Sequence, residues 1–138
     1  MATYLGDTSA LTRRGTRPEV RAIVEPLLLA GRIATCGIVE LELLYSAVSP
    51  GAYAELALSF RGMPRVPITE EVMERSLEVQ AILASRSLHR SVTLPDLLVA
   101  ACAEANDLTV LHYNSDFVTI ADVTGQSEQW VVPQRSVS

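Results

Sequence analysis

Short apolar runs alternate with longer amphipathic segments along most of the 138 residues of the chain. The short runs are uniformly apolar, which predicts buried strands. These predicted strands cover residues 3–6, 32–36, 66–69, 109–113 and 129–132. Between them, apolar residues spaced three and four positions apart predict helices. A brief helix is expected after Asp7, and the longer predicted helices cover 16–31, 39–48, 52–60, 70–88, 93–105 and 117–123.

This alternation of strands and helices predicts an α/β fold with a mostly parallel central sheet that helices cover on both faces. The length suits one domain, residues 1–138, with little room for a second. We expect the tail, 134–138, to be frayed because it follows Pro133 and the last predicted strand.

Acidic residues lie where the predicted sheet would bind a ligand. Asp7 ends the first strand, and Asp116 lies just beyond the strand that ends at Tyr113. Asp96 begins the helix that leads back into that strand, and Glu42 lies early in the helix after the second strand. Ligands of parallel sheets bind at the carboxyl ends of the strands. We therefore expect the carboxylates to converge there, although each aspartate alone also suits a helix cap or a turn.

Converging carboxylates repel one another unless their pKa values rise or a cation lies among them. All 11 basic residues are arginine, and none adjoins Asp7, Asp96 or Asp116 in sequence. Oxygen ligands without histidine or cysteine suit Mg²⁺ or Mn²⁺ better than Zn²⁺. Such an ion most often acts on phosphate esters. The absence of lysine argues against phosphatases and phospho-receivers that need its ammonium group.

Composition and charge limit the classes of function and the cellular location that fit this chain. The formal net charge of −5 argues against a generic nucleic-acid coat protein but is compatible with a metal-dependent enzyme that acts on nucleic acid. Cys36 and Cys102 lie in apolar runs, which predicts that they are buried free thiols. Free thiols are the usual state of cysteine in a reducing cytoplasm. We find neither a signal peptide nor a membrane-spanning run. These observations predict a cytoplasmic protein without a membrane partner.

Four segments combine into a more specific pattern. They are Leu5–Leu11, Glu42–Ala47, Pro95–Ala101 and His112–Phe117, with Thr124–Gly125–Gln126 before Trp130 as further support. In this order and spacing, the chain resembles the PIN-domain ribonucleases, and in particular the VapC toxins of bacterial toxin–antitoxin pairs. The resemblance implies a three-layer α/β/α sandwich. It also implies an endoribonuclease that depends on Mg²⁺, with Mn²⁺ as a substitute, and that a VapB-like antitoxin holds inactive.

The metal-binding acids of that family correspond to four residues of this chain: Asp7, Glu42, Asp96 and Asp116. Glu42 would act directly or through water, and Ser9 would support the first acid or a bound water. Glu40 is the alternative to Glu42; residues two apart on a helix face different ways, and the family pattern favours Glu42. Asn114 stands where many relatives have another aspartate, and its amide oxygen binds a metal or water without adding charge.

Arginines adjoin the proposed site segments in sequence, and as candidate RNA contacts we name Arg13, Arg14, Arg86 and Arg90. Solvated surfaces or antitoxin contacts explain each of them as well. His89 and His112 are weaker candidates for general acid–base roles, and a structural role suits His112 better.

The mean hydropathy of +0.25 is high for a monomer of this size, so we expect a homodimer and an apolar groove that takes an antitoxin helix. Candidate groove residues are Leu27, Leu28, Leu43, Leu44 and Tyr45. The alternative function is a catalytically weak PIN-like protein that binds RNA or an antitoxin, and Asn114 keeps that alternative open.

Overall fold

The computed structural model describes all residues, 1–138. Its sheet has four strands in the order β2-β1-β3-β4, and every neighbouring pair is parallel. The strands are β1 (Tyr4–Gly6), β2 (Ile33–Ala34), β3 (Thr109–His112) and β4 (Glu128–Trp130). Leu5 pairs with Ala34 on one side and with Val110 on the other. The predicted parallel sheet is confirmed.

Seven helices connect and cover the strands. They are α1 (Thr8–Arg13), α2 (Pro18–Leu29), α3 (Gly37–Tyr45), α4 (Pro50–Phe60), α5 (Glu70–Ser85), α6 (Leu94–Ala105) and α7 (Asp116–Thr124). All of the predicted helices are present, and their ends differ from the predictions by a few residues. α4 begins earlier because Ser49 caps it, with its hydroxyl accepting a bond from the Ala52 amide at 3.0 Å. Gly125 ends α7 in the left-handed conformation that glycine favours, at φ 73°.

Two apolar clusters, one on each face of the sheet, create the three-layer α/β/α sandwich. Successive side chains of a strand point to opposite faces: Leu5 and Val110 pack with α3, α5, α6 and α7. Ile33 and Leu111 instead pack with α1 and α2. The sandwich implied by the resemblance is therefore confirmed. No helix is both long and apolar enough to cross a membrane.

The predicted strand at 66–69 is wrong. Only an isolated bridge pairs Arg65 with Thr35, next to β2. Thr35 donates to the Pro64 carbonyl and Val66 donates to the Thr35 carbonyl, both at 2.8 Å. Pro67 lacks the backbone N–H that a longer ladder would need, so the pairing stops there.

The tail, which was expected to be frayed, lies against β3 and α1. The Tyr113 hydroxyl donates to the Val137 carbonyl at 2.5 Å and accepts from the Val137 amide at 3.1 Å. Arg13 and Arg17 donate to the carbonyl and the hydroxyl of Ser138, respectively. The five residues after Pro133 thus lie close to the carboxyl edge of the sheet.

Candidate active site

Asp7 lies at the point where β1 ends and α1 begins. Its Oδ2 accepts hydrogen bonds from the Ser9 amide at 3.0 Å and from the Ser9 hydroxyl at 2.6 Å. The same hydroxyl accepts a bond from the Tyr113 amide at 2.8 Å, just after β3. Asp7 is only 3% exposed, and its Oδ1 is buried without any hydrogen-bond partner. A buried carboxylate oxygen without a partner is costly and suggests a ligand that is not protein.

Gly6 lets Asp7 reach this position. A Cβ at Gly6 would lie 2.9 Å from Ile33 Cγ2 and 3.2 Å from Leu11 Cδ1. Only a residue without a side chain allows β1 to pack this closely against β2 and α1.

Asp96 and Asp116 are linked through Asn114. The amide Nδ2 of Asn114 donates to Asp96 Oδ2 at 3.1 Å, and its Oδ1 accepts from the Asp116 amide at 3.0 Å. Asp116 Oδ2 in turn accepts from the Thr93 amide at 3.1 Å. Thr93 caps α6, its hydroxyl accepting from the Asp96 amide at 3.4 Å. These bonds hold the first turns of α6 and α7 together.

The pKa shifts of Asp7 and Asp96 reflect their burial and, for Asp96, the nearby Asp116 and Asp7. Burial raises the pKa of Asp7 above its ordinary value of 3.8, although the bonds from Ser9 act in the opposite direction. Burial, with added contributions from the neighbouring Asp116 and the charge of Asp7, raises the pKa of Asp96 to about 8. Asp7 lies 89 positions before Asp96 and 109 before Asp116 in the sequence, and the fold brings the charges of Asp7 and Asp116 within range of Asp96.

Glu42 and Glu40 have different surroundings, although both belong to α3. Glu42 is half-buried, and its Oε1 accepts from the Thr8 hydroxyl at 3.0 Å, which brings it to the turn that follows Asp7. Glu40 is 6% exposed and is bound by two nitrogens of Arg65, one of them at 2.7 Å. Glu40 is therefore paired with an arginine, whereas Glu42 is bonded to Thr8, the residue that follows Asp7.

The donor set fits a hard divalent cation. Carboxylate and amide oxygens are the ligands that such cations prefer, and the unpartnered Oδ1 of Asp7 is an open position. In the present side-chain arrangement, no three acidic, histidine or cysteine side chains lie close enough to form a finished cation shell. Asp96 Oδ2 accepts a hydrogen bond from Asn114 Nδ2 at 3.1 Å. An ion that used this oxygen would replace that bond.

Other predicted residues lie nearby or are engaged elsewhere. Arg13 Nη1 donates to the Ser9 carbonyl at 2.7 Å, beside the Asp7 turn. Arg14 forms an ion pair with Glu25 on α2. His112 is fully buried, and burial lowers its pKa. Its Nε2 lies 2.6 Å from Glu128 Oε1, and its Nδ1 accepts a hydrogen bond from the backbone N–H of Asn114.

The remaining predicted residues, Arg86, Arg90 and His89, are exposed at the end of α5 and in the loop that follows. Two positioning residues were missed by sequence reasoning, Thr8 and Tyr113, whereas Thr93 was expected at the start of a helix. Thr93 carries a usable signal, because threonine three positions before an acid is a common helix cap. The contributions of Thr8 and Tyr113 depend on contacts distant in sequence and have no local signal.

The sequence profile described as PIN domain matches residues 4–123, which include Asp7, Glu42, Asp96 and Asp116. The chain belongs to the PIN-domain family. Within that family it groups with the VapC ribonucleases. It is 42% identical over 134 residues to Ribonuclease VapC51 of Mycobacterium tuberculosis, covering 97% of this chain and 96% of the relative. It is 41% identical over 135 residues to Ribonuclease VapC21 of the same organism, covering 94% of each.

Solved structures share the fold of this PIN-domain chain. DNA-bound VapBC from Salmonella typhimurium matches with a TM-score of 0.75 at 18% identity, over 96% of this chain and 100% of that one. VapBC-5 from Mycobacterium tuberculosis matches with a TM-score of 0.62 at 21% identity, over 94% and 97%. At these identities the likeness concerns the fold.

Proposed function

We propose that this protein is a Mg²⁺-dependent endoribonuclease and the toxin of a type II toxin–antitoxin pair in the cytoplasm. The observation that carries the proposal is the group of Asp7, Asp96 and Asp116, which are buried or half-buried together without any paired cation from the protein. The curated relatives named Ribonuclease VapC support RNA as the substrate.

The proposed ligands of Mg²⁺, or of Mn²⁺ as a substitute, are Asp7, Asp96 and Asp116, with Glu42 acting directly or through water. A divalent ion bound there supplies positive charge that offsets the charge developing on a phosphodiester and increases the acidity of water. Ser9 directs Asp7 by two hydrogen bonds. Asn114 holds Asp96 and the start of α7 in register.

Glu42 is the acid best suited to accept a proton from attacking water. It is more exposed than Asp7 and Asp96, and only its Oε1 has a hydrogen bond from the protein. The second oxygen is therefore free for solvent or substrate. We propose Arg13, Arg14, Arg86 and Arg90 as contacts to RNA phosphates. Arg13 lies beside the Asp7 turn, because it donates to the Ser9 carbonyl.

An antitoxin of the VapB type is the proposed partner, because several structural relatives are described as VapBC or toxin–antitoxin complexes. Apolar side chains are exposed around α2, α3 and α4, among them Leu29 at 86% and Tyr45 at 92%. A groove of about 360 Å³ between these helices includes Leu28, Leu29 and Leu43. We propose that an apolar face of the antitoxin binds there.

We also propose a homodimer. Met73, Leu77 and Leu94 on α5 and α6 are exposed, at a distance in sequence from the helices proposed for the antitoxin. Sedimentation of the purified chain, with and without Leu77→Glu, tests this point.

The test of the enzyme is cleavage of total RNA by the purified protein with Mg²⁺ and with EDTA. Asp96→Asn should abolish the Mg²⁺-dependent cleavage, whereas the control Asp122→Asn, at an exposed acid on α7, should leave it intact. Expression of the intact chain in a growing bacterium should arrest growth, and Asp96→Asn should relieve that arrest.

Cleavage that survives Asp96→Asn or EDTA would reject the metal-dependent mechanism. An intact protein that neither cuts RNA nor arrests growth would favour the alternative, a catalytically weak protein that binds RNA or an antitoxin. Asn114 supports that alternative, because its uncharged amide stands where a fourth aspartate would add negative charge.

A further inference from the structure

A second cavity adjoins the carboxylates on the far side of Asn114. It has a volume of about 380 Å³ and lies between Tyr113, Trp130, Arg13 and the docked tail. Asn114 lines this cavity and also donates to Asp96. Asn114 is therefore a residue that the cavity and the proposed site of cleavage share. We call this cavity the Tyr113–Trp130 pocket.

Aromatic rings in this pocket are held in place before any ligand arrives. Tyr113 and Trp130 pack edge to face with ring centroids 5.5 Å apart, and Trp130 also packs on the buried ring of His112 at 4.9 Å. The guanidinium of Arg13 lies 4.6 Å from the centroid of the Tyr113 ring. Both Tyr113 and Trp130 are half-exposed. Rigid, partly exposed rings beside an arginine are the elements that stack nucleobases in sequence-tolerant sites.

The charge of the pocket is opposite to that of the neighbouring cluster. Its lining includes Arg13 and Arg135 and no acidic residue, and Arg17 reaches the same tail through Ser138. Guanidinium groups bind phosphate oxygens through paired hydrogen bonds. In a protein with a formal net charge of −5, this is a local basic surface next to acids that would otherwise repel a polyanion.

The tail forms the outer wall of the pocket. Gln134, Arg135, Val137 and Ser138 contribute to the lining, and the two bonds between Val137 and the Tyr113 hydroxyl fix the wall to the ring. The width of the pocket thus depends on the tail, while the ring that would stack on a base belongs to the end of β3.

We propose that the Tyr113–Trp130 pocket binds the nucleotide of single-stranded RNA next to the scissile phosphate, with its base against the rings and its phosphate toward Arg13 and Arg135. This inference rests on the proposed ribonuclease function and adds a substrate subsite to it. The adjoining position of Asn114 means that a nucleotide in the pocket would place the next phosphate of the strand toward Asp96.

The test uses Trp130, which is the single tryptophan of the chain, as its reporter. A short single-stranded oligoribonucleotide is titrated into the full chain in EDTA, which stops metal-dependent cleavage. Overall binding is followed by anisotropy of a labelled copy, and occupancy of the pocket by Trp130 fluorescence with an unlabelled copy. We expect the fluorescence to change with the same midpoint as the anisotropy.

Variants separate the ring from the hydroxyl. Tyr113→Ala should weaken oligonucleotide binding by roughly tenfold, the loss typical of one base–aromatic stack. Tyr113→Phe keeps the ring while losing both bonds to the tail, and its affinity should stay within about threefold of wild type. Tyr53→Ala, at an exposed tyrosine on α4, is the matched control and should bind as wild type does.

Saturating oligonucleotide without any change in Trp130 fluorescence would overturn the proposal, and this result needs no variant. Wild-type affinity in a folded Tyr113→Ala protein, checked by circular dichroism, would overturn it as well. Cleavage is measured separately with Mg²⁺. A protein that cuts RNA without a Trp130 response keeps the proposed function and loses the pocket; one that responds but never cuts RNA keeps the pocket and loses the function.

Discussion

Two buried carboxylates of this protein, Glu40 and Asp7, differ in whether an arginine offsets their charge. Glu40 is 6% exposed and is held by Arg65. Asp7 is 3% exposed, has no arginine partner, and keeps one oxygen without any hydrogen bond. A folded chain satisfies its buried charges unless something else does so. The comparison teaches that burial alone does not mark the site; burial without a compensating cation does.

The largest expected effect that separates the two acids is on catalysis. Asp7→Asn should reduce Mg²⁺-dependent RNA cleavage by roughly a hundred- to a thousandfold, because an amide cannot supply the charge that holds the ion. Glu40→Gln should retain most of the activity. Initial cleavage rates at equal concentrations of folded protein measure both. Equal losses for the two variants would mean that Asp7 and Glu40 do not differ in their contribution to cleavage.

The second prediction concerns pH. The pKa of Asp96 in the folded chain, about 8, lies above its ordinary value of 3.8, so the metal-free folded state binds a proton more tightly than the unfolded state. Its free energy of unfolding should therefore fall as the pH rises from about 4 to about 8, by on the order of a few kcal/mol. Urea unfolding in EDTA at several pH values measures this.

Asp96→Asn removes the titrating group and should flatten that pH dependence, with a gain in metal-free stability at pH 8. An unchanged slope in this variant would mean that neither burial nor the neighbouring acids raise the pKa of Asp96 in the folded chain. Glu40→Gln provides the comparison, because its partner Arg65 remains charged throughout this range.

Added Mg²⁺ should stabilise the protein by less than the pH effect and by more than the Glu40–Arg65 pair does. An ion at ten times its dissociation constant adds about 1.4 kcal/mol to the free energy of unfolding, which raises the melting temperature by a few degrees. Asp7→Asn should lose this shift and Glu40→Gln should keep it. The measurement is thermal melting with Mg²⁺ and, as a control for ionic strength, with NaCl. A shift that both variants share would indicate non-specific binding.

The smallest effect is expected for the pair of Glu40 and Arg65. Arg65 is 63% exposed at its side chain, so screening by solvent limits the pair, and Glu40→Gln should lower the free energy of unfolding only slightly. Urea unfolding at pH 7 with low and high salt measures the loss. A cost of several kcal/mol would mean that this pair is as important to the fold as a buried ion pair.

Local patterns were sufficient for the acids that follow strands or begin helices. Asp7 is marked by the turn Gly6–Asp7–Thr8–Ser9, and Asp96 by the cap at Thr93 and the proline before it. The parallel topology could be predicted from short apolar strands that alternate with helices. These features depend on residues that are near each other in sequence.

Features that depend on distant contacts could not be predicted. The docking of the tail requires the Tyr113 hydroxyl, 24 residues away from Val137. The partner of Glu40 lies 25 residues away, in a segment where apolar Val66 and Ile68 suggested a strand although Pro64 and Pro67 prevent a longer one. The family pattern favoured Glu42 over Glu40, but the contacts that distinguish the two acids, from Thr8 and Arg65, come from residues distant in sequence.

Gly6 links the chemistry of the site to the packing beneath it. The space that a methyl group would need there is filled by side chains of Ile33 from β2 and Leu11 from α1. The backbone that carries the first acid is thus positioned by packing against both elements. A larger residue at Gly6 should displace Asp7 through this packing, so the apolar interior restricts which residue can precede the first acid.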